Sequence, residues 1–381
     1  MSDDIEPFRI SIPQEDVDDL RDRLERTRWP AESPEPGWKR GVPPAYLREL
    51  ADHWLGSYDW QRWEARLNAL PQFTTVIDGQ RIHFAHVRSS EPGALPLVVT
   101  HGWPGSFVEL LEIVGPLTDP TAHGGDRADA FDVIAPSLPG FAFSTPVSEP
   151  GWDHQRIARA WVELMRRLGY QRYGAHGSDT GFLVSPEIGR LAPEQVVGVH
   201  IYGGLEFDSI AEIDDPQRTE SERRRLEAVD WLRREATGYA SIQSTRPATL
   251  GFALNDSPIA QLAWIVDKFH DWTDPAVALP DQAVGRDHLL TNVTLYWLTG
   301  TGATSAHQYY ENRIAPATEK VRSEVPTGIA VFPTDPNIRS VAERQHRIVR
   351  WSEYSRGGHF AALEAPDLLV EDLRAFYRPL R

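Results

Sequence analysis

Gly177, Ser178, Asp179, Thr180 and Gly181 fit a Gly-x-nucleophile-x-Gly turn, with an aspartate at the position where an acyl hydrolase would carry serine. A carboxylate with an ordinary pKa of about 3.9 is ionised at neutral pH, so it can attack carbon without a base to remove a proton. The product of such an attack is an alkyl-enzyme ester, which calls for an sp3 carbon bearing a leaving group. Gly-x-Asp-x-Gly also occurs as a plain turn, so the surrounding sequence has to carry the assignment. Tyr173 to Ala175 ends a short segment that can be a buried strand, and an apolar stretch with Phe182, Leu183, Val184 and Ile188 follows. Strand, tight turn and helix is the order this device needs. Pro186 removes a helical hydrogen bond and predicts a kink or a late helix start.

The electrophiles that suit Asp179 are epoxides and alkyl halides rather than acyl esters or peptides. Hydrolysing the resulting ester requires stabilisation of an oxyanion, a general base and a group to orient that base. His101-Gly-Trp-Pro-Gly-Ser106 follows a predicted strand ending at Thr100, and its loop is positioned to supply the Trp103 amide. The Thr180 amide, directly after the nucleophile, supplies the second donor, each contributing about 3 kcal/mol. Among thirteen histidines, His359 in Arg356-Gly-Gly-His359-Phe360 has the best setting for a base, after the last predicted strand and before the closing helix. Asp335, in Phe332-Pro-Thr-Asp335-Pro336, is the chosen orienting acid, although Asp-Pro is also a turn pair; Glu206 is the reserve. No metal-ligand spacing or hydride-cofactor fingerprint is present, so neither a metal nor a cofactor is expected.

The elements around these residues alternate. A helix over 13 to 28, with Pro13 in its first turn, presents Val17, Leu20 and Leu24 on one face. A second helical region runs from about Tyr46 to Leu70, interrupted at Gly56, and Phe73 to Val87 reads as a hairpin about Asp78-Gly79. Strands follow at Leu95 to Thr100, Asp132 to Pro136, Val196 to Tyr202, Gly328 to Phe332 and Arg347 to Tyr354, with helices near His154 to Leu168 and Pro366 to Tyr377. That pattern predicts an α/β fold with a mostly parallel sheet, split by a charged, helix-rich insertion. Arg223 to Arg225 and Arg233-Arg234 sit among acidic residues and read as a solvated helix face. No internal repeat is evident.

With 381 residues the chain can bury one large core with additions. The absence of cysteine excludes disulfides, thiolate metal sites and a cysteine nucleophile. A net charge of -16 argues against nucleic acid and anionic membrane as partners. The first twenty residues are acidic, without a leader-like apolar run, and no later window is apolar enough to span a bilayer. The expectation is a cytoplasmic, unanchored protein acting on a small molecule and water. Most of the thirteen tryptophans are expected in the core, some against an apolar pocket.

Taken together, the residues resemble the microsomal-type epoxide hydrolases, which carry an N-terminal extension before an α/β-hydrolase core. The resemblance spans nearly the whole chain: Phe8 to Pro30, HGWPGS at 101–106, the elbow, GYASIQSTRP at 238–247, ALNDSP at 253–258 and RGGHFAALEAPDLL at 356–369. It implies an extension over 1–92, a core in two parts over 93–205 and 320–381, and a helical cap over 206–319. It also implies two cap tyrosines that hold and protonate the epoxide oxygen, Tyr239 and Tyr309, with Tyr310 the neighbouring alternative. A phenol suits that task because its pKa near 10 keeps it protonated. Homodimerisation is a further expectation. The chain departs from the family pattern in having Ser-Asp-Thr-Gly where Gly-Asp-Trp-Gly is common, an aspartate where many relatives orient the histidine with glutamate, and no hydrophobic membrane anchor. Haloalkane or haloacid dehalogenation, with the same nucleophile and base, is the nearest rival. Thr180 weighs against it, since such enzymes often hold halide with a tryptophan directly after the nucleophile. A catalytically silent ligand-binding member of the fold is the other alternative.

Overall fold

The computed structural model describes residues 4–32, 34, 35, 37–204, 219–316 and 321–381. Within them nine strands form one sheet: β1 (Glu6–Phe8), β2 (Gln72–Ile77), β3 (Gln80–Val87), β4 (Leu95–Thr100), β5 (Phe131–Pro136), β6 (Tyr173–Ser178), β7 (Val196–Tyr202), β8 (Ser323–Val331) and β9 (His346–Glu353). Their order is β1-β2-β3-β5-β4-β6-β7-β8-β9. The pairs among β1, β2, β3 and β5 are antiparallel, and every pair from β5 through β4 to β9 is parallel. The central strands are buried almost throughout because helices cover both sheet faces. The chain changes its direction of travel across the sheet between β4 and β6, the place where α/β sheets open a crevice for ligands.

One core face is filled by the His154–Arg167 and Thr180–Leu191 helices, the other by the Pro366–Tyr377 helix. Trp161 is fully buried, and its indole N–H donates to Thr100 Oγ1 at 3.1 Å, fixing the end of β4 from which the His101 loop departs. The predicted late helix start at Pro186 does not occur. The helix begins at Thr180 and runs through Pro186 to Leu191. Burial of Phe182, Val184 and Ile188, about 1.5–3 kcal/mol each, outweighs the roughly 3 kcal/mol cost of an interior proline. The first helix is shorter than expected, Gln14–Glu25, with Pro13 as an extended cap before it. It stops short of Pro30, whose preceding residue avoids helical geometry.

Residues 219–316 are helical, with the helices Gly238–Thr245, Pro247–Asp256, Pro258–Trp272, Arg286–Leu298 and Thr301–Ile314, and with a π-helical turn at Leu232–Ala236. Arg223 and Arg224 are exposed and pair with Glu220, as a solvated face would. Arg225 differs: it is largely covered and bridges to Glu353 of β9 at 2.7 Å. The Arg286–Leu298 helix is held from two sides. From the N-terminal segment, Trp54 donates to Thr294 at 2.8 Å, Tyr58 meets Thr291 at 3.0 Å and His53 meets Asp287 at 2.8 Å. From the core, Asn292 bonds Pro104 O and Ser106 Oγ, both at 2.7 Å, and Tyr296 donates to Gly105 O at 2.7 Å. That buried helix therefore ties the N-terminal helices to the His101–Ser106 loop.

Candidate active site

The elbow at the end of β6 holds Asp179 at φ 52°, a conformation that non-glycine residues rarely adopt. Such a turn survives only where neighbours approach closely. A Cβ on Gly181 would lie 2.1 Å from Thr100 O, so the turn and β4 fit together only with glycine there. The result aims the carboxylate at the His101 loop. Oδ1 accepts from the Trp103 amide at 2.9 Å and from the Thr180 amide at 2.7 Å. Gly102 leaves room for this, since a Cβ there would stand 2.0 Å from Oδ1. The two amides anticipated from sequence thus meet at a single oxygen of Asp179.

The other oxygen, Oδ2, lies 3.4 Å from Nε2 of His359. The histidine loop is fixed by the His359 amide, which donates at 2.8 Å to Trp272 O at the end of the Pro258–Trp272 helix. Asp335 is buried below the same cavity, but its oxygens do not bond the His359 ring. They accept from the Gly203 amide at 2.9 Å and from the amide and side chain of Asn337, the amide at 2.9 Å. Gly203 stands against the ring, where a Cβ would be 3.4 Å from Nδ1. Gly203 O also accepts from the Asp179 amide at 3.3 Å, so one peptide segment links both aspartates. Burial lifts the Asp335 carboxyl to about 6, against the opposing pull of the Gly203 and Asn337 donors and the nearby imidazole. Asn337 was not anticipated, although Asp-Pro-Asn is a side-chain-capped turn signature that could have drawn attention to it. The reserve acid Glu206 lies outside the described residues.

Asp179, His359, Asp335, Tyr239, Tyr309 and Thr180 line one cavity of about 390 Å³, and Tyr310 is not among its lining residues. The Tyr239 ring stacks on Trp103, with centroids 5.0 Å apart and planes at 9°, and meets Tyr309 edge-on at 5.7 Å. Burial and the Asp179 charge hold both phenols well above the usual phenol range; at Tyr309 the neighbouring Tyr239 contributes as well. Both are therefore protonated donors at neutral pH. Trp272 forms part of the wall, whereas Trp54, Trp60 and Trp63 are core residues.

Two further polar groups were missed. The Thr180 hydroxyl lies 3.2 Å from Asp179 Oδ1 and 3.2 Å from Gln308 Oε1, connecting the elbow to the Thr301–Ile314 helix. Glu109 is buried beside Gly105 under the His101–Ser106 loop, and desolvation, aided by the Asp179 charge, raises its carboxyl to about 8. The Thr180–Gln308 contact has no local sequence signal, because it joins distant segments, and the burial of Glu109 depends on tertiary packing around its loop. Among the described residues no helix is long and apolar enough to cross a membrane, and no cluster of three or more metal-ligating side chains forms.

Residues 5–110 match the family model described as "Epoxide hydrolase N terminus". A Stigmatella aurantiaca protein assigned to the epoxide hydrolases is 43% identical over 99% of this chain and 86% of its own length. Epoxide hydrolase 1 of Sus scrofa is 35% identical over 98% of this chain and 88% of its own. The crystal structure of the juvenile hormone epoxide hydrolase from the silkworm Bombyx mori superposes with a TM-score of 0.91 at 29% identity, covering 99% of this chain and 95% of that one. With a mostly parallel sheet, an acidic elbow and relatives of this similarity along nearly the whole of this chain, the chain is an enzyme of the α/β-hydrolase fold and belongs to the epoxide hydrolase family.

Proposed function

We propose that this enzyme converts an epoxide to a vicinal diol in two covalent steps. Oδ2 of Asp179 attacks a ring carbon from behind while Tyr239 and Tyr309 hold the epoxide oxygen. The carbon–oxygen bond breaks with its electron pair on oxygen, which takes a proton from a phenol, leaving a hydroxyl and an ester at Asp179. His359, assisted by the buried charge of Asp335, then removes a proton from water, whose oxygen attacks the ester carbonyl carbon. The Trp103 and Thr180 amides receive the oxyanion. Collapse expels the second diol oxygen, which takes the proton from His359. On this reading residues 1–92 are an extension, 93–205 and 320–381 the core, and 206–319 the cap.

The observation that carries the proposal is the division of the Asp179 carboxylate, one oxygen between two amides and the other facing His359. That arrangement suits an ester whose carbonyl oxygen already lies in an oxyanion hole. Single-turnover hydrolysis of styrene oxide in heavy-oxygen water tests it. The label is expected in the Asp179 carboxylate and absent from the first diol. Label appearing directly in that diol would mean that water, not Asp179, opens the ring.

A further inference from the structure

Lys268 is a buried lysine that the chemistry above leaves unused. It lies on the Pro258–Trp272 helix and is 4% exposed, although lysine is almost never fully buried unless paired. Its Nζ is 2.6 Å from Asp271 Oδ2 and 3.1 Å from Asp267 Oδ2. The same nitrogen lies over the Tyr239 ring, 5.2 Å from the centroid, and 5.8 Å from the Trp272 ring centroid. These distances fall within cation–π range, and exclusion of water strengthens the attraction. Tyr239 is thus enclosed by Trp103 stacked at 5.0 Å, Trp272 edge-on at 5.4 Å, Tyr309 and the ammonium.

We propose that Lys268 is a positioning residue acting through Tyr239: its ammonium, anchored by Asp267 and Asp271, fixes the phenol ring and stabilises the negative charge that collects there during ring opening. This rests on the role given above to Tyr239. When the carbon–oxygen bond breaks, the alkoxide takes the phenolic proton and a phenolate remains until solvent reprotonates it. The cation lies close to that phenolate ring, whereas it favours the neutral phenol much less, so the gain falls on the transition state. The charged and titratable groups around Tyr239 are Asp179, Asp271, Tyr309 and Lys268, and both aspartates oppose a phenolate. Lys268 is the cation in that set.

Rapid-quench measurement of ester formation and ester hydrolysis with styrene oxide separates the outcomes. Lys268→Met is expected to slow ester formation about tenfold, with hydrolysis of the ester changed much less, and Lys268→Arg to recover most of the loss. In a Tyr239→Phe background, Lys268→Met should change ester formation by less than about twofold, since no phenolate can form. Lys268→Gln, which removes the charge but keeps a polar group facing Asp267 and Asp271, should slow ester formation to a similar extent and tests the idea even if Lys268→Met folds poorly. Equal losses from either variant with and without Tyr239 would reduce Lys268 to a packing residue. If Tyr239→Phe formed ester at the wild-type rate, the role of Tyr239 would fail first and Lys268 with it.

Discussion

Nε2 of His359 stands 3.4 Å from Oδ2 of Asp179, while Oδ1 is occupied by the Trp103 and Thr180 amides. The imidazole therefore faces the oxygen that would carry the alkyl group, and the amides face the one that would become the carbonyl. The amides and the imidazole thus address different oxygens of one carboxylate.

His359→Gln should retain ring opening and lose ester hydrolysis, lowering kcat by about 10³-fold. Intact-protein mass spectrometry after exposure to styrene oxide would then show one adduct of the epoxide's mass, located on the peptide containing Asp179. Normal turnover by this variant would remove His359 from the mechanism.

Asp335 is lifted by burial to about 6, so its charge is present above that pH and is lost as pH falls through it. Ester hydrolysis should decline on the acid side of about pH 6. Asp335→Asn should lower that step about 10²-fold or more and flatten the Asp335 contribution to its acid limb. A wild-type hydrolysis rate in Asp335→Asn would show that the buried charge does not serve His359.

Gly102→Ala places a methyl group 2.0 Å from the present position of Oδ1. The carboxylate must leave the two amides, and kcat should drop about 10²-fold, with a stability loss of roughly 1–3 kcal/mol. Steady-state kinetics beside thermal melts would expose the error if activity survived while the protein remained folded.

Glu109 offers a stability test separate from turnover. Its folded carboxyl is raised to about 8, so the stability it contributes is fully present below its unfolded value near 4.5 and is lost as pH rises through about 8. Glu109→Gln imitates the protonated form. The wild type should lose on the order of 1–3 kcal/mol relative to this variant between pH 5 and 8.5. Parallel melting curves across that range would contradict a neutral Glu109.

Local patterns carried far in this chain. Strand β4, strand β7 and the Pro366–Tyr377 helix end where their apolar runs and flanking residues predict. Asp78-Gly79 makes the hairpin turn between β2 and β3, with both residues at positive φ. The elbow could be found because its glycines, aspartate and amide donor are consecutive. Strand β1 was not anticipated: three residues at a sheet edge carry no periodicity, and their pairing with β2 is a tertiary event. The same reason hid the Thr180–Gln308 contact and the Lys268–Tyr239 approach, which join segments 128 residues apart in the first case and two separate helices in the second. At Asp335 the residue could be located from sequence, but the partners of its oxygens could not. They depend on how the Gly203 segment runs beside the histidine loop.

The Arg286–Leu298 helix is bolted by Trp54 and Tyr58 on its outer side and by Asn292 and Tyr296 on its inner side. Pinned on both flanks, that helix transmits strain rather than absorbing it: a disturbance at Trp54 or Tyr58 passes through Asn292 and Tyr296 to the loop that presents the Trp103 amide to Asp179. The N-terminal helices therefore have a hold on the geometry of a carboxylate they never touch.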